Sequence, residues 1–184
     1  MKKTILYAAI VLMAGFSTTA MAVGTAATVA ATAAGAKLIV PMTLTQTSPL
    51  HFGTITLPDG TGGTVLLTTA NARTFTGAGV VASAVAPLQT NAAFNVTGTQ
   101  NVTYALTLPA TITVSETVGK TAVMTISALT VKFGAAAEKT AVAATSVLSA
   151  TGTDNFIVGG TLTVTSAQVA GIYDGTFPVT VDYN

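Results

Sequence analysis

The chain has 184 residues, half of them apolar and only 7% charged, with a formal net charge of +1. It has no cysteine and a single histidine, which excludes disulfides, thiolate metal sites, thiol catalysis and thiol redox chemistry. So apolar and weakly charged a chain is neither disordered nor equipped with a basic surface for nucleic acid.

Lys2 and Lys3 precede an apolar run over residues 5–16, and Ala20-Met21-Ala22 follows with small residues at the A-x-A spacing. Residues 1–22 therefore read as a secretory signal peptide cleaved after Ala22. The apolar run is too short for a membrane span. The mature chain is expected to be exported, without a transmembrane segment, and slightly acidic once the two lysines are removed. It is long enough for one domain with its own core.

Residues 23–35 (VGTAATVAATAAG) are small and repetitive. Alanine favours helix, but the interspersed Thr and Val do not, so the stretch reads as a flexible or extended arm. Its one weakly apolar face would carry Ala27, Val29, Ala31 and Ala33. A single domain over residues 36–184 follows. Residues 37–47 read as a strand with Leu38, Val40, Met42 and Leu44 on one face. Pro41 places that strand at an edge or on a bulge. Residues 50–57 read as a short strand, 58–63 as a glycine-rich turn and 64–69 as a returning strand. Residues 71–84 give no clear pattern.

Strands are predicted over 92–96 and 102–108, joined by the turn Gly98-Thr-Gln-Asn101, and over 111–114. Residues 122–133 read as a longer strand whose apolar parity changes between Ile126 and Leu129, the mark of a bulge. Residues 134–150 read as an Ala-rich loop with one helical turn. Residues 155–158 and 161–166 read as two strands around Gly159-Gly160. The last segment alternates most clearly. Tyr173, Phe177, Val179, Val181 and Tyr183 face one way, and Asp174, Thr176, Thr180, Asp182 and Asn184 the other. The total is nine or ten short strands with turns between them, which predicts an all-β, antiparallel sandwich.

Catalytic material is sparse. His51 beside Phe52 reads as a strand or packing residue, and no Gly-x-Ser-x-Gly accompanies it, although Asp154 and several serines leave a Ser/His/Asp set open. The acidic residues are scattered singly, so no glycosidase pair is indicated. One carboxylate in Asp59-Gly-Thr-Gly-Gly63 is too few for calcium. Those glycines follow a strand without opening a helix, so they do not cradle phosphate. Asn95-Val-Thr97 and Asn101-Val-Thr103 match the glycosylation sequon as Thr-rich chains do by chance. No enzyme, metal or cofactor is expected.

With Tyr183 penultimate and Gly171 fourteenth from the end, the C-terminus resembles that of chaperone–usher pilus subunits. The body is similar to a family of uncharacterised secreted bacterial domains. The resemblance lies in Leu50-His-Phe-Gly-Thr-Ile55, Phe94-Asn-Val-Thr-Gly98, Leu106-Thr-Leu-Pro109, Gly159-Gly-Thr-Leu162 and the pattern from Gly171 to Tyr183. The pilin resemblance implies an incomplete immunoglobulin-like sandwich whose open edge takes a strand from a partner. It implies that Gly171, Tyr173, Phe177, Val179, Val181 and Tyr183 form the strand gripped by a periplasmic chaperone and then by a like subunit. It further implies that Ala27, Val29, Ala31 and Ala33 form the donated arm, in a head-to-tail homopolymer assembled through an outer-membrane usher at the cell surface. Pilin arms are usually bulkier than this one, and many pilins carry a disulfide that this chain lacks. The arm could instead be a spacer. The alternative function is a self-contained secreted sandwich that binds a surface glycan or protein partner. A secreted hydrolase built on His51 is a third.

Overall fold

The computed structural model describes residues 33–58, 60–141, 143–166 and 168–184. The expected signal peptide, with Ala20 and Ala22, lies outside these residues, as do Ala27, Val29, Ala31 and Asp59. Ala33 is exposed and outside any strand. Every strand belongs to a unit that runs from Leu38 to Asn184.

Among the described residues the fold is all-β, with no helix. The chain begins with β1 (Thr43–Ser48), β2 (Ile55–Thr56), β3 (Gly63–Leu67), β4 (Arg73–Thr76) and β5 (Val81–Ala82). It continues with β6 (Ala92–Thr97), β7 (Thr103–Thr107), β8 (Ile112–Glu116), β9 (Val123–Phe133) and β10 (Lys139–Thr140). It closes with β11 (Ala144–Val147), β12 (Thr153–Val164), β13 (Tyr173–Asp174) and β14 (Thr180–Tyr183). All pairings are antiparallel. A nine-stranded sheet runs β1-β6-β12-β9-β8-β13, with β3 added to β12, β4 to β3 and β10 to β9. A three-stranded sheet, β11-β7-β14, and the small pair β2-β5 complete the sandwich-like arrangement expected from the alternating pattern.

Alternation explains the layers. Phe94 and Val96 of β6, Val131 and Phe133 of β9, and Phe156 and Val158 of β12 point to the same interior as Tyr104 and Leu106 of β7. Phe94 stacks on Phe156 at 5.0 Å, and Phe133 meets Tyr104 edge-on at 6.0 Å. Such aromatic pairs contribute beyond their buried area. A polar tie crosses between the sheets within this core. Asp154 on β12 accepts hydrogen bonds from the Tyr104 hydroxyl on β7 (2.9 Å) and the Ser146 hydroxyl on β11 (2.6 Å). Burial, followed by the Asp154 charge, pushes the Tyr104 phenol well above its usual range.

Several local expectations are corrected. The first strand starts at Thr43 rather than Lys37, because Pro41 offers no N–H to the β6 ladder. Of residues 50–57 only Ile55–Thr56 is strand, and His51 makes an isolated bridge to Thr90. The unread stretch 71–84 holds two strands, β4 and β5. The segment 134–150 contains β10 and β11 in place of a helical turn.

Residues 153–164 form one strand of 12 residues, not two around a glycine turn. Gly159 and Gly160 serve close packing instead. A Cβ at Gly159 would collide with the Leu67 carbonyl, and one at Gly160 would lie 2.8 Å from Leu129 Cδ2. The bulge between Ile126 and Leu129 is present opposite them. Gly159 pairs with Thr130 and Thr161 with Ser127, leaving two β9 residues opposite one, with Ala128 at φ 47°.

Candidate functional site

The C-terminal segment does not form the single strand expected from its alternation. Tyr173 and Asp174 pair with Glu116 and Ser115 of β8 in the large sheet. The chain then crosses the sandwich, and Thr180–Tyr183 pair with Thr107–Tyr104 of β7 in the small sheet. Gly175 sits at the start of the crossing, where a Cβ would lie 2.5 Å from the Thr113 carbonyl oxygen. The predicted sidedness persists through this change of sheet. Phe177, Val179, Val181 and Tyr183 are half-buried against the core and Tyr173 is half-buried, while Asp174, Thr176, Thr180, Asp182 and Asn184 are exposed. Gly171 is exposed and lies against the Glu116 side chain. The Val118 N–H, and then that of Gly119, hold the Glu116 carboxyl below its usual range. The Tyr173 hydroxyl donates to the Val169 carbonyl at 2.7 Å.

The last strand is an edge. Its phase is set by the bond from Asn184 N–H to the Thr103 carbonyl (3.0 Å). Thr180 and Asp182 share that parity in the β7 register, so their backbone groups also face β7. The backbone groups of Val181 and Tyr183 face the other way, and among the described residues no strand pairs with that side. Strand β1 likewise pairs only with β6. The first and last strands of the unit are therefore both open.

Two hollows mark the ends of this open edge. The larger, about 600 Å³, has a floor of Ile112, Ile126 and Leu162, with Ile55, Leu57 and Phe177 at its sides. The smaller, about 350 Å³, lies between Ile39, Pro41 and Met42 on one bank and Val181, Asp182 and Tyr183 on the other. Its banks are pinned together. The Tyr183 hydroxyl accepts from the Thr99 N–H at 2.6 Å and donates to the Val40 carbonyl at 2.5 Å.

The wall of the larger hollow is held by Arg73, the only arginine in the chain. Its Nη1 donates to the carbonyls of Phe52 (2.9 Å) and Thr54 (3.2 Å), and its guanidinium lies 5.4 Å from the centre of the Phe75 ring. His51 borders the same hollow, but its Nδ1 accepts from the Gly53 N–H at 2.8 Å, which is a turn-forming role. Gln168 also borders it, and its Nε2 is buried with no hydrogen-bond partner among the described residues.

Sequence reasoning missed Arg73, Gln168 and the Tyr183–Val40–Thr99 contact. A lone arginine in so uncharged a chain was the available signal for the first. No sequence signal marks the other two, because each depends on partners distant in the chain. Among the described residues, no three His, Asp or Glu side chains come together as a metal site requires, and no helix is long and apolar enough to cross a membrane. The chemistry of the site is that of an unpaired backbone edge over an apolar trough.

No curated protein matches the chain in sequence. Residues 42–183, from just before β1 to the end of β14, match the profile of a family described as a domain of unknown function, DUF4402. The match spans most of the sequence, and the chain belongs to that family.

Proposed function

We propose that the chain is a non-catalytic structural subunit of a bacterial surface fimbria that serves in adhesion and is assembled by strand donation between like subunits. The observation that carries this reading is the open side of β14, with half-buried Phe177, Val179, Val181 and Tyr183 beneath it and a hollow at each end. An uncovered apolar edge is an aggregation hazard, so an exported protein that keeps one needs a strand to cover it. A periplasmic chaperone would cover the edge during transit, and an outer-membrane usher would exchange that cover for the arm of the next subunit. A contact in which the arm of one copy enters the trough of another does not close on itself, and so it propagates as a filament.

Deleting residues 23–35 tests the reading. The truncated protein should remain soluble with its chaperone and lose the ability to polymerise, as measured by sedimentation and electron microscopy. Filaments of normal length from the truncated protein would overturn strand donation by the arm. A mature full-length chain that stays monomeric and stable without a chaperone would favour the self-contained glycan- or partner-binding sandwich instead.

A further inference from the structure

Leu38, Ile39 and Val40 are the odd residues of this surface. They are bulky, consecutive and 88%, 54% and 60% exposed. An apolar run of this kind, exposed at the start of a domain that has an unfilled apolar hollow, marks an interaction site. The arm residues before it cannot fill that hollow. Alanine methyl groups are far smaller than a space of about 600 Å³, which lies in the range that encloses a whole small organic molecule.

The chain's own run cannot fill it either. Val40 is held at the Tyr183 end of the open edge by the Tyr183 hydroxyl, whereas the large hollow lies at the Phe177 end. Six residues of extended chain separate those ends, about 20 Å at strand spacing.

We infer that Leu38 of a second copy, projecting beyond the Val40 that its own Tyr183 holds, is the plug of the large hollow. The inference rests on the strand-donation reading and names the residue that anchors the donated strand. With Leu38 opposite Phe177, residues 37 to 32 of the incoming chain run antiparallel along the open side of β14 and end beside Tyr183. The unpaired backbone groups of Val181 and Tyr183 then gain ladder partners. The incoming backbone also brings carbonyls to the wall where the buried Gln168 amide has no acceptor. Ala36 and Gly35, opposite Val179 and Thr180, pass over the stretch between the hollows, and the large side chain sits where the space is.

Because the chain has no cysteine, single introduced thiols report contacts unambiguously. Full-length exported protein carrying Ile55→Cys on the hollow wall would be mixed with protein carrying either Leu38→Cys or Val29→Cys, allowed to assemble, and treated with a short bis-maleimide. Cross-linking between copies from Leu38 supports the inference, whether or not Val29 also reacts. Polymers that cross-link only from Val29 overturn the plug and leave strand donation standing, as do polymers that cross-link from neither position. Protein that remains monomeric and uncross-linked overturns both. As a second measurement, Leu38→Ala should weaken association by about tenfold or more, the worth of one buried leucine side chain. Unchanged association would overturn the plug.

Discussion

Replacing Asp154 by alanine removes the acceptor that ties β12 to both β7 and β11. The Tyr104 side chain is fully buried, so its hydroxyl would lose its charged acceptor and keep only the Ser146 hydroxyl as a partner. A hydrogen bond to a charged acceptor contributes about 1.5–3 kcal/mol, and a buried donor that loses its acceptor costs about 1–3 kcal/mol. Ser146 is only half-buried and can be rehydrated, so it adds little. The expected loss is about 2–4 kcal/mol, a large part of the total stability of an ordinary domain. Tyr104→Phe should cost less, about 1–2 kcal/mol, because Asp154 keeps its bond to Ser146.

The double variant carries the sharper expectation. Once Asp154 is gone, the hydroxyl has lost its charged acceptor and bonds only Ser146, so Tyr104→Phe added to Asp154→Ala should cost little further. That is a coupling of about 1–2 kcal/mol. Urea unfolding followed by far-ultraviolet circular dichroism measures all three, since the chain has no tryptophan to follow by fluorescence. If Asp154→Ala falls within about 0.5 kcal/mol of the unaltered protein, or the two substitutions add, the tie between the sheets carries no such energy and the argument fails.

Gly159→Ala should fail to accumulate as folded protein, or lose several kcal/mol, because the new methyl group meets the rigid Leu67 carbonyl. Gly35→Ala, with open space around it, should melt within a degree of the parent. Glu138 accepts hydrogen bonds from the Thr69 side chain and N–H, which hold its carboxyl below the ordinary value of about 4.5. A lowered folded-state pKa gives stability that is present above the unfolded value and lost as pH falls through the folded one. The melting-temperature gap between the parent and Glu138→Gln should therefore be widest near neutrality and shrink below pH of about 4.5. A gap independent of pH would refute the assignment.

The fold class was legible because alternation survives wherever one face of a strand is buried. Ala92–Thr97, Thr103–Thr107 and Val123–Phe133 all appear within a residue or two of where the pattern places them. What misled was glycine and proline. Gly159-Gly160 reads locally as a turn, yet both residues lie mid-strand because neighbouring chains press against them. Strands β4 and β5 carried too few large side chains to show a period, and their pairing with β3 and β2 holds them in place. The sidedness of residues 173–183 was visible, but their change of sheet was not, because alternation records which way side chains point and not which neighbour supplies the ladder. The hollow was invisible for the same reason. Its walls come from segments more than a hundred residues apart, residues 50–57 on one side and 168–177 on the other.

The crossing at Gly175 gives the chain's final residues an unusual duty. Residues 173–174 are stitched to one layer and 180–183 to the other, so neither layer is finished until this crossing segment is in place. A growing chain of this kind cannot complete either layer until residues 173–183 have been made. Maturation is then a single late event at which a folding helper could act, and truncating even the last four residues would strip β7 of one of its two partners.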